Sequence, residues 1–154
     1  MGSAWRIVQT HVADRAFTGE GARRFGGRWN NKGIAVVYTS SSISLAILEI
    51  LVHIPTYDIL AEYLYIPVEF DRKYVLSLKP NELPADWNKD PSPQANKQIG
   101  DSWVKRGDSV ILEVPSAIIS KEKNYLINPA HSAFGKLKIG KAAKFEFDPR
   151  LFKP

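Results

Sequence analysis

The chain has no cysteine among its 154 residues. This absence excludes a disulfide framework and any zinc site built on thiolates, and it is typical of a protein of the reducing cytoplasm. Long apolar runs are also missing, because the longest, around 43–54, is interrupted by Ser44, Glu49 and His53 and is too short to span a bilayer. The first ten residues reach a charge at the sixth and contain no apolar stretch of signal-peptide length. We therefore expect a cytoplasmic protein that neither crosses nor binds a membrane.

Dense tracts of one charge are absent as well. The chain has 21 Lys and Arg against 16 Asp and Glu, a formal net charge of +5, with mild basic gatherings at 23–32, 121–123 and 136–144. A basic surface attracts any polyanion, but no zinc-finger spacing, helix-turn-helix signature or RNA-recognition aromatic pattern accompanies it. We expect no direct binding of nucleic acid. A non-catalytic basic domain that binds an acidic partner stays open as an alternative.

Several common catalytic motifs are missing. The three histidines lie far apart, and Glu49 with His53 gives half a metal site, so no metal is expected. No GxSxG nucleophile elbow occurs. No GxGxxG follows the first predicted strand, so any nucleotide must be held differently from the doubly wound folds. Three further polar residues are interpreted as turn formers, namely Asn124, Asn128 and His131.

The chain is long enough for one well-buried core and too short for two ordinary domains, so residues 1–154 are expected to form a single domain. Apolar patterning predicts six or seven short strands and two or three helices, with strands at both ends. This favours an α+β fold over a regular βαβ alternation. The predicted strands are 5–8, 34–38, 60–68, 73–78, 110–114 extended over 116–119, and 138–147; the helices are 42–54 and 94–105; 80–93 is an exposed proline-rich loop, and 124–129 ends in a turn.

A glycine pair begins the most informative part of the sequence. In the segment 25–30, FGGRWN, two glycines permit a positive φ or a close approach of the backbone to a ligand. Arg28 offers a planar fork to phosphate, and Trp29 and Tyr38 offer aromatic faces. The segment indicates a pocket for an anionic ligand that contains an aromatic ring.

Glu49 lies within an apolar run, ISLAILEILV, at 43–52. The run is apolar on every face at helical spacing, which is typical of a helix packed on all sides. An ionised carboxylate there is unfavourable unless a partner compensates for its lost hydration. The polar turn 39–42 before the helix supplies an N-cap. Glu49 is therefore either paired, with His53 at i+4 as one candidate, or used in function.

Three stretches of this chain, taken together, resemble the RES-domain family, the toxins of RES–Xre toxin–antitoxin modules. The name refers to arginine, glutamate and serine residues, which match Arg28, Glu49 and Ser116 here. The motifs occur in the family's order over nearly the whole chain. The stretches are WRI at 5–7, GARRFGGRWNNKGIAVVYTSSSISLAILEILVH at 21–53 and VPSAIISKEKNYLINPAH at 114–131.

The resemblance implies an ADP-ribosyltransferase-like fold with two small, mainly antiparallel sheets around an NAD cleft. It implies a toxin that arrests growth by consuming NAD through hydrolysis or phosphorolysis, with ADP-ribosylation of a protein target as the alternative. NAD would be the substrate, and no other cofactor is expected. The resemblance further implies a cognate Xre-like antitoxin and a homodimer within the toxin–antitoxin complex. By position, Arg28 and Tyr38 match the NAD-pocket residues, Glu49 the catalytic glutamate and Ser116 the serine, with Arg6 as a further candidate.

The chemistry of NAD cleavage suits these residue types. Breaking the nicotinamide–ribose bond builds positive charge on the ribose, as in glycoside hydrolysis, and Glu49 would stabilise that charge. Arg28, and with it Arg6, could hold the pyrophosphate. Tyr38 could stack on nicotinamide, with an ordinary core tyrosine as the alternative. Ser116 could hydrogen-bond the ligand or orient Glu49, with a capping serine at the end of a strand as the alternative.

Overall fold

The computed structural model describes residues 1–53 and 62–152. Within them the chain forms eight strands and three α-helices, together with short 3-10 turns. The strands are β1 (Gly2–Gln9), β2 (Val37–Ser40), β3 (Tyr63–Phe70), β4 (Val75–Ser77), β5 (Ile111–Pro115), β6 (Lys123–Ile127), β7 (Lys138–Ile139) and β8 (Ala143–Phe145). The helices are α1 (Glu20–Phe25), α2 (Ile43–Leu51) and α3 (Gln94–Arg106). The predicted α+β class is confirmed.

The strands join into one curled sheet in the order β4-β5-β6-β2-β1-β3-β7, with β8 also paired to β3. Neighbours are antiparallel except β4 and β5. Between β1 and β2 the register consists of one described pair, Trp5 opposite Ser40. This narrow seam divides the sheet into two mainly antiparallel halves, so the expected two small sheets are joined edge to edge.

The half-sheet of β2, β5 and β6 is buried on both faces, because its alternating residues are apolar on each side. Each face builds its own cluster. One contains Val37, Val68, Phe70, Ile111, Tyr125 and Ile127, and the other contains Leu112, Val114 and Leu126 beneath Trp29 and Trp103 of α3. The second cluster faces the segment that carries the glycine pair.

Several predicted boundaries shift. The strand predicted at 34–38 begins at Val37, and the strand predicted at 138–147 is divided into β7 and β8. The predicted extension of β5 over 116–119 is wrong, because the Ser116 hydroxyl accepts hydrogen bonds from the two backbone N–H groups of 118 and 119 and turns the chain. The strand predicted at 60–68 begins partly outside the described residues.

No helix in the described part of the chain has the length and apolar character needed to cross a membrane.

Candidate active site

The helix α2 presents Glu49 from a well-capped start. The Ser42 hydroxyl accepts a hydrogen bond from the Leu45 backbone N–H at 3.0 Å, which confirms the predicted N-cap. Ala46 on the same helix packs with Ile7 of β1 and Tyr63 of β3. These contacts fix the helix against the sheet and leave Glu49, three residues further on, half-buried.

The Glu49 carboxylate is held by neutral donors. Its Oε1 accepts hydrogen bonds from the Ser116 hydroxyl at 2.6 Å and from the Asn124 side-chain amide at 2.8 Å. In residues 1–53 and 62–152, no ion pair involves Glu49, so the candidate pairing with His53 is not formed. Its Oε2 accepts no hydrogen bond from a described residue. The carboxylate is therefore oriented through one oxygen while its charge is not neutralised by a described cation.

Ser116 is fully buried, and its hydroxyl is saturated. It donates to Glu49 and accepts from the backbone N–H groups of Ile118 at 3.0 Å and Ile119 at 3.1 Å. A hydroxyl has one hydrogen and two lone pairs, so these three bonds use its whole capacity. Ser116 both orients Glu49 and caps the turn after β5, two of the roles that the sequence left open.

Asn124 is the residue that sequence reasoning missed. The interpretation of Asn124 as a turn former is wrong, because it lies in β6 opposite Ser40. Its amide oxygen accepts from the Ser40 hydroxyl at 2.8 Å while its amide nitrogen donates to Glu49. The available signal was alternation, which places a polar Asn124 on the same face as the buried Leu126.

The other two predicted turn formers are confirmed. The Asn128 side chain accepts from the Ala130 backbone N–H at 3.0 Å. His131 accepts from the Ala133 N–H through Nδ1, so its Nε2–H donates to the carbonyl of Gly107 at 3.1 Å. Both residues are used locally, as the sequence indicated.

Tyr38 is anchored through its hydroxyl. The hydroxyl donates to Asn30 Oδ1 at 2.6 Å and accepts from the Trp29 backbone N–H at 3.0 Å. Burial raises the pKa of Tyr38 above its ordinary value of 10, so the phenol is neutral at physiological pH. Because Tyr38 and Ser40 are two residues apart in a strand, their side chains leave the same face about 7 Å apart.

The two glycines before Arg28 have different functions. Gly26 has a φ of 75°, a left-handed conformation that favours glycine. A Cβ on Gly27 would lie 2.6 Å from the Tyr38 hydroxyl oxygen. In this structure the backbone at Gly27 closely approaches the Tyr38 side chain, whereas the sequence led us to expect a close approach to a ligand.

Arg28 is hydrogen-bonded to the proline-rich loop 80–93. Its Nη1 donates to the backbone carbonyls of Trp87 at 3.1 Å and Lys89 at 2.8 Å. The indole rings of Trp29 and Trp87 stack with centroids 6.5 Å apart. The other guanidinium nitrogens of Arg28 make no hydrogen bond to a described residue. Arg28 can therefore hold the loop through one nitrogen and present the others to an anion.

Arg6 lies at the seam of the sheet. It donates from Nη1 to the Tyr38 carbonyl at 2.9 Å and from Nε to the Ala16 carbonyl at 2.5 Å. Burial lowers the pKa of Arg6 to about 10. Its hydrogen bonds to described residues thus satisfy main-chain oxygens where β1 and β2 separate, and they fix the backbone of Tyr38.

Comparison with known proteins gives one family. The family model described as "RES domain" matches residues 3–148. The chain belongs to the RES domain family. It is 40% identical over 148 residues to the protein named "Toxin Res" of Yersinia enterocolitica. The matched region covers 96% of this chain and 97% of the relative. It is 35% identical over 157 residues to the "Prs ADP-ribosylating toxin" of Sphingobium sp., covering 98% and 97% of the two chains.

A solved structure supports the fold. The crystal structure of the M. tuberculosis MbcT–MbcA toxin–antitoxin complex contains a chain that matches with a TM-score of 0.77 and 19% identity. The match covers 97% of this chain and 86% of that one. These comparisons confirm the resemblance inferred from the sequence, and this chain is a RES-family toxin.

Within this RES domain the predicted residues form two sets along β2. Glu49 and Ser116 belong to one set, which Asn124 connects to Ser40. Arg28 and Tyr38 belong to the other, which is held together through Trp29 and Asn30; Arg6 supports its backbone.

Two depressions among the described residues lie away from both sets. One of about 300 Å³ lies between α3 and Leu78, and one of about 200 Å³ lies beside Pro67 and Gly140. No group of three or more His, Cys, Asp or Glu positioned to hold a metal occurs in the described segments. The candidate site is therefore distinguished by its hydrogen-bonded side chains.

Proposed function

We propose that this RES-family toxin cleaves the nicotinamide–ribose bond of NAD. The observation that carries the proposal is the Glu49 carboxylate, which two neutral donors orient without an ion pair to a described residue. In the alternative of a purely structural glutamate, a compensating cation would be expected beside a half-buried carboxylate. Membership of a family whose relatives are named toxins supports the same reading.

The carboxylate would act on the charge that develops in the reaction. As the bond to nicotinamide breaks, the ribose becomes an oxocarbenium-like cation. A preoriented carboxylate stabilises such a charge in a poorly hydrated site, an effect of about 3 kcal/mol for a single well-placed group. Glu49 would accept a hydrogen bond from a ribose hydroxyl through Oε2, because Oε1 already accepts the hydrogen bonds from both protein donors.

The remaining residues would bind and position the dinucleotide. Arg28 would contact the pyrophosphate through the guanidinium nitrogens that the loop carbonyls do not use. The Tyr38 ring would pack on nicotinamide, with its hydroxyl held by Asn30. Ser116 would act through Glu49, and Arg6 through the backbone of Tyr38.

Either of two nucleophiles, water or inorganic phosphate, would accept the ADP-ribosyl group and complete the reaction. Attack by water at the ribose C1 gives nicotinamide, ADP-ribose and a proton; attack by inorganic phosphate gives nicotinamide and ADP-ribose 1″-phosphate. NAD is the substrate in both cases, and no further cofactor is proposed.

The direct test measures NAD loss and nicotinamide release by the purified protein, with and without phosphate. Glu49→Gln preserves shape and removes the charge, so we expect turnover to fall about a hundredfold or more. The matched control is charge reversal at an exposed site, Lys141→Glu, which should leave turnover unchanged. Equal turnover by Glu49→Gln and wild type would refute the catalytic assignment. A basic binding domain would be favoured if the wild-type protein consumed no NAD and Lys141→Glu lost binding to a partner.

Transfer of ADP-ribose to a protein is a second candidate. The Sphingobium relative, 35% identical, is named an ADP-ribosylating toxin. The bond broken in NAD is the same, and the acceptor is a protein side chain in place of water or phosphate. NAD labelled in its adenylate part distinguishes the two, because label appears on protein only if transfer occurs.

We further propose a cognate antitoxin with an Xre-like DNA-binding part, and a homodimer within their complex. The support is the solved neighbour, which is itself a toxin–antitoxin complex. Co-expression with the product of an adjacent gene, followed by measurement of complex mass and NAD loss, tests both. An unchanged rate of NAD loss in the presence of that product would contradict the inhibitory pairing.

A further inference from the structure

We propose that Asn124 is a positioning residue that fixes the plane of the Glu49 carboxylate and which of its oxygens faces the substrate. The inference rests on the proposed function, because it concerns how Glu49 is made competent. It assigns a role to a residue that the family resemblance did not single out.

The direction of the Asn124 amide is set by Ser40. The two residues are directly opposite each other in β6 and β2, so their side chains share one face. The Ser40 hydroxyl donates to Asn124 Oδ1 at 2.8 Å, which turns the NH₂ end towards Glu49. Ser40 is buried, 4% exposed, so its hydroxyl has little competing water. The order Ser40, Asn124, Glu49 is thus a chain of donors that ends on the carboxylate.

Asn124 and Ser116 converge on the same carboxylate oxygen. Both hydrogen bonds end on Oε1, at 2.8 Å and 2.6 Å. Two donors on one oxygen fix the orientation of the carboxylate. Because both donors are neutral, they leave the net negative charge in place for the ribose cation.

An aspartate at position 124 would replace the amide donor with a second carboxylate and change the shape of the side chain very little. It would place a second carboxylate oxygen about 2.8 Å from Oε1, and two carboxylates that close share one proton over a wide pH range. No described ionisable group forms an ion pair with Glu49 that would mask this. The ionisable groups on α2 and on the segments near it include Arg6, His53, Tyr63, Tyr65, Lys121, Glu122, Lys123 and Lys144.

The decisive variant is therefore Asn124→Asp, measured as kcat and KM for NAD from pH 5 to pH 9. We expect kcat at pH 7 to fall about tenfold to a hundredfold, the acid limb of the kcat profile to move up by about one pH unit or more, and KM to change little. Activity should recover partly as the pH rises and the shared proton leaves. The matched control is the same amide-to-carboxylate change at exposed Asn81, which should leave the profile where it is.

A second pair of variants keeps the test independent of Asn124→Asp folding. Ser40→Ala removes the hydroxyl that orients the amide, so kcat should fall several-fold. In an Asn124→Ala background Ser40→Ala should cost nothing further, because Ser40 acts through Asn124. The inference would be overturned if the losses in kcat from Ser40→Ala and Asn124→Ala were additive. It would also be overturned if Asn124→Asp lowered the melting temperature but left the acid limb of the kcat profile in place.

Failure of this inference is distinguishable from failure of the proposed function. If Glu49→Gln is as active as wild type, the proposed function fails whatever Asn124 does. If Glu49→Gln is inactive but Asn124→Asp retains both kcat and the wild-type profile, the catalytic role of Glu49 stands and the role of Asn124 is refuted.

Discussion

The contact between Gly27 and Tyr38 allows a prediction whose sign can be worked from the structure. A Cβ on Gly27 would lie 2.6 Å from the Tyr38 hydroxyl oxygen, 2.8 Å from its Cζ and 2.9 Å from Asn30 Oδ1. Ordinary contact begins near 3.4 Å, so the overlap with the hydroxyl is about 0.8 Å. Overpacking of this size costs about 1–3 kcal/mol. If the ring moves to relieve it, the bonds from Trp29 and to Asn30 are also lost, at about 1 kcal/mol each.

Gly27→Ala is therefore expected to lower the free energy of unfolding by roughly 1–5 kcal/mol, which corresponds to a melting temperature lower by about 2–20 °C. The matched control is Gly21→Ala. Gly21 lies in α1, and a Cβ there meets nothing within 4 Å. The same added methyl group should stabilise this helix by about 0.5–1 kcal/mol.

Thermal and urea unfolding measure both changes, and NAD turnover should fall in Gly27→Ala because Tyr38 is displaced. Tyr38→Phe should also cost less in the Gly27→Ala background than in wild type, since the hydroxyl bonds are already broken there. A neutral or stabilising Gly27→Ala would show that the Tyr38 ring does not pack on the glycine pair and would refute the reasoning.

Three further predictions test other parts of the site. Arg28→Lys should raise KM for NAD about tenfold and change kcat little, because lysine lacks the planar fork that can bind the loop carbonyls and an anion at the same time. Protease cleavage of the loop 80–93 should also increase. An unchanged KM would contradict the assignment. Ser42→Ala should destabilise the protein by about 1 kcal/mol in urea unfolding through loss of the α2 cap, whereas Ser42→Asp should not. Burial alone would raise the pKa of Glu113, but hydrogen bonds from Tyr125, Ser77 and Arg72 outweigh it and hold that pKa below 4.5. Glu113→Gln should therefore cost roughly 0.5–1 kcal/mol at pH 7, and the difference from wild type should vanish as the pH falls below 4.5 and through the folded value. A difference that persists at low pH would contradict the shift.

Local patterns predicted the parts of the fold that depend on neighbouring residues. The serine before the apolar run predicted the start of α2, and Ser42 is its N-cap. The helix predicted at 94–105 ends at Arg106, where Gly107 adopts a φ of 66° as a C-cap. The division of the sheet could not be read from alternation, because the seam depends on which strand edges meet.

The contacts among the candidate site residues were predicted only in part. The resemblance left open that Ser116 orients Glu49, but no local pattern indicates that the two residues touch across 67 residues of sequence. Arg28 was assigned to an anion, and nothing in its neighbourhood indicates that it also binds carbonyls about 60 residues later. A side chain that bonds to a main-chain oxygen leaves no signal in the sequence of its partner, because every residue has that oxygen.

The distance along the chain between Glu49 and its donors links folding to activity. Glu49 is placed by α2, but its two hydrogen bonds come from 67 and 75 residues later, at the end of β5 and in β6. Burial of the carboxylate in the folded chain is unfavourable unless hydrogen bonds replace the water that it loses. Ser116 and Asn124 supply those bonds, so α2 and the β5–β6 pair stabilise each other. A change that loosens β6 against β2, such as loss of the Ser40 to Asn124 bond, should then release Glu49 first, so that activity falls at temperatures where the rest of the sheet is still folded.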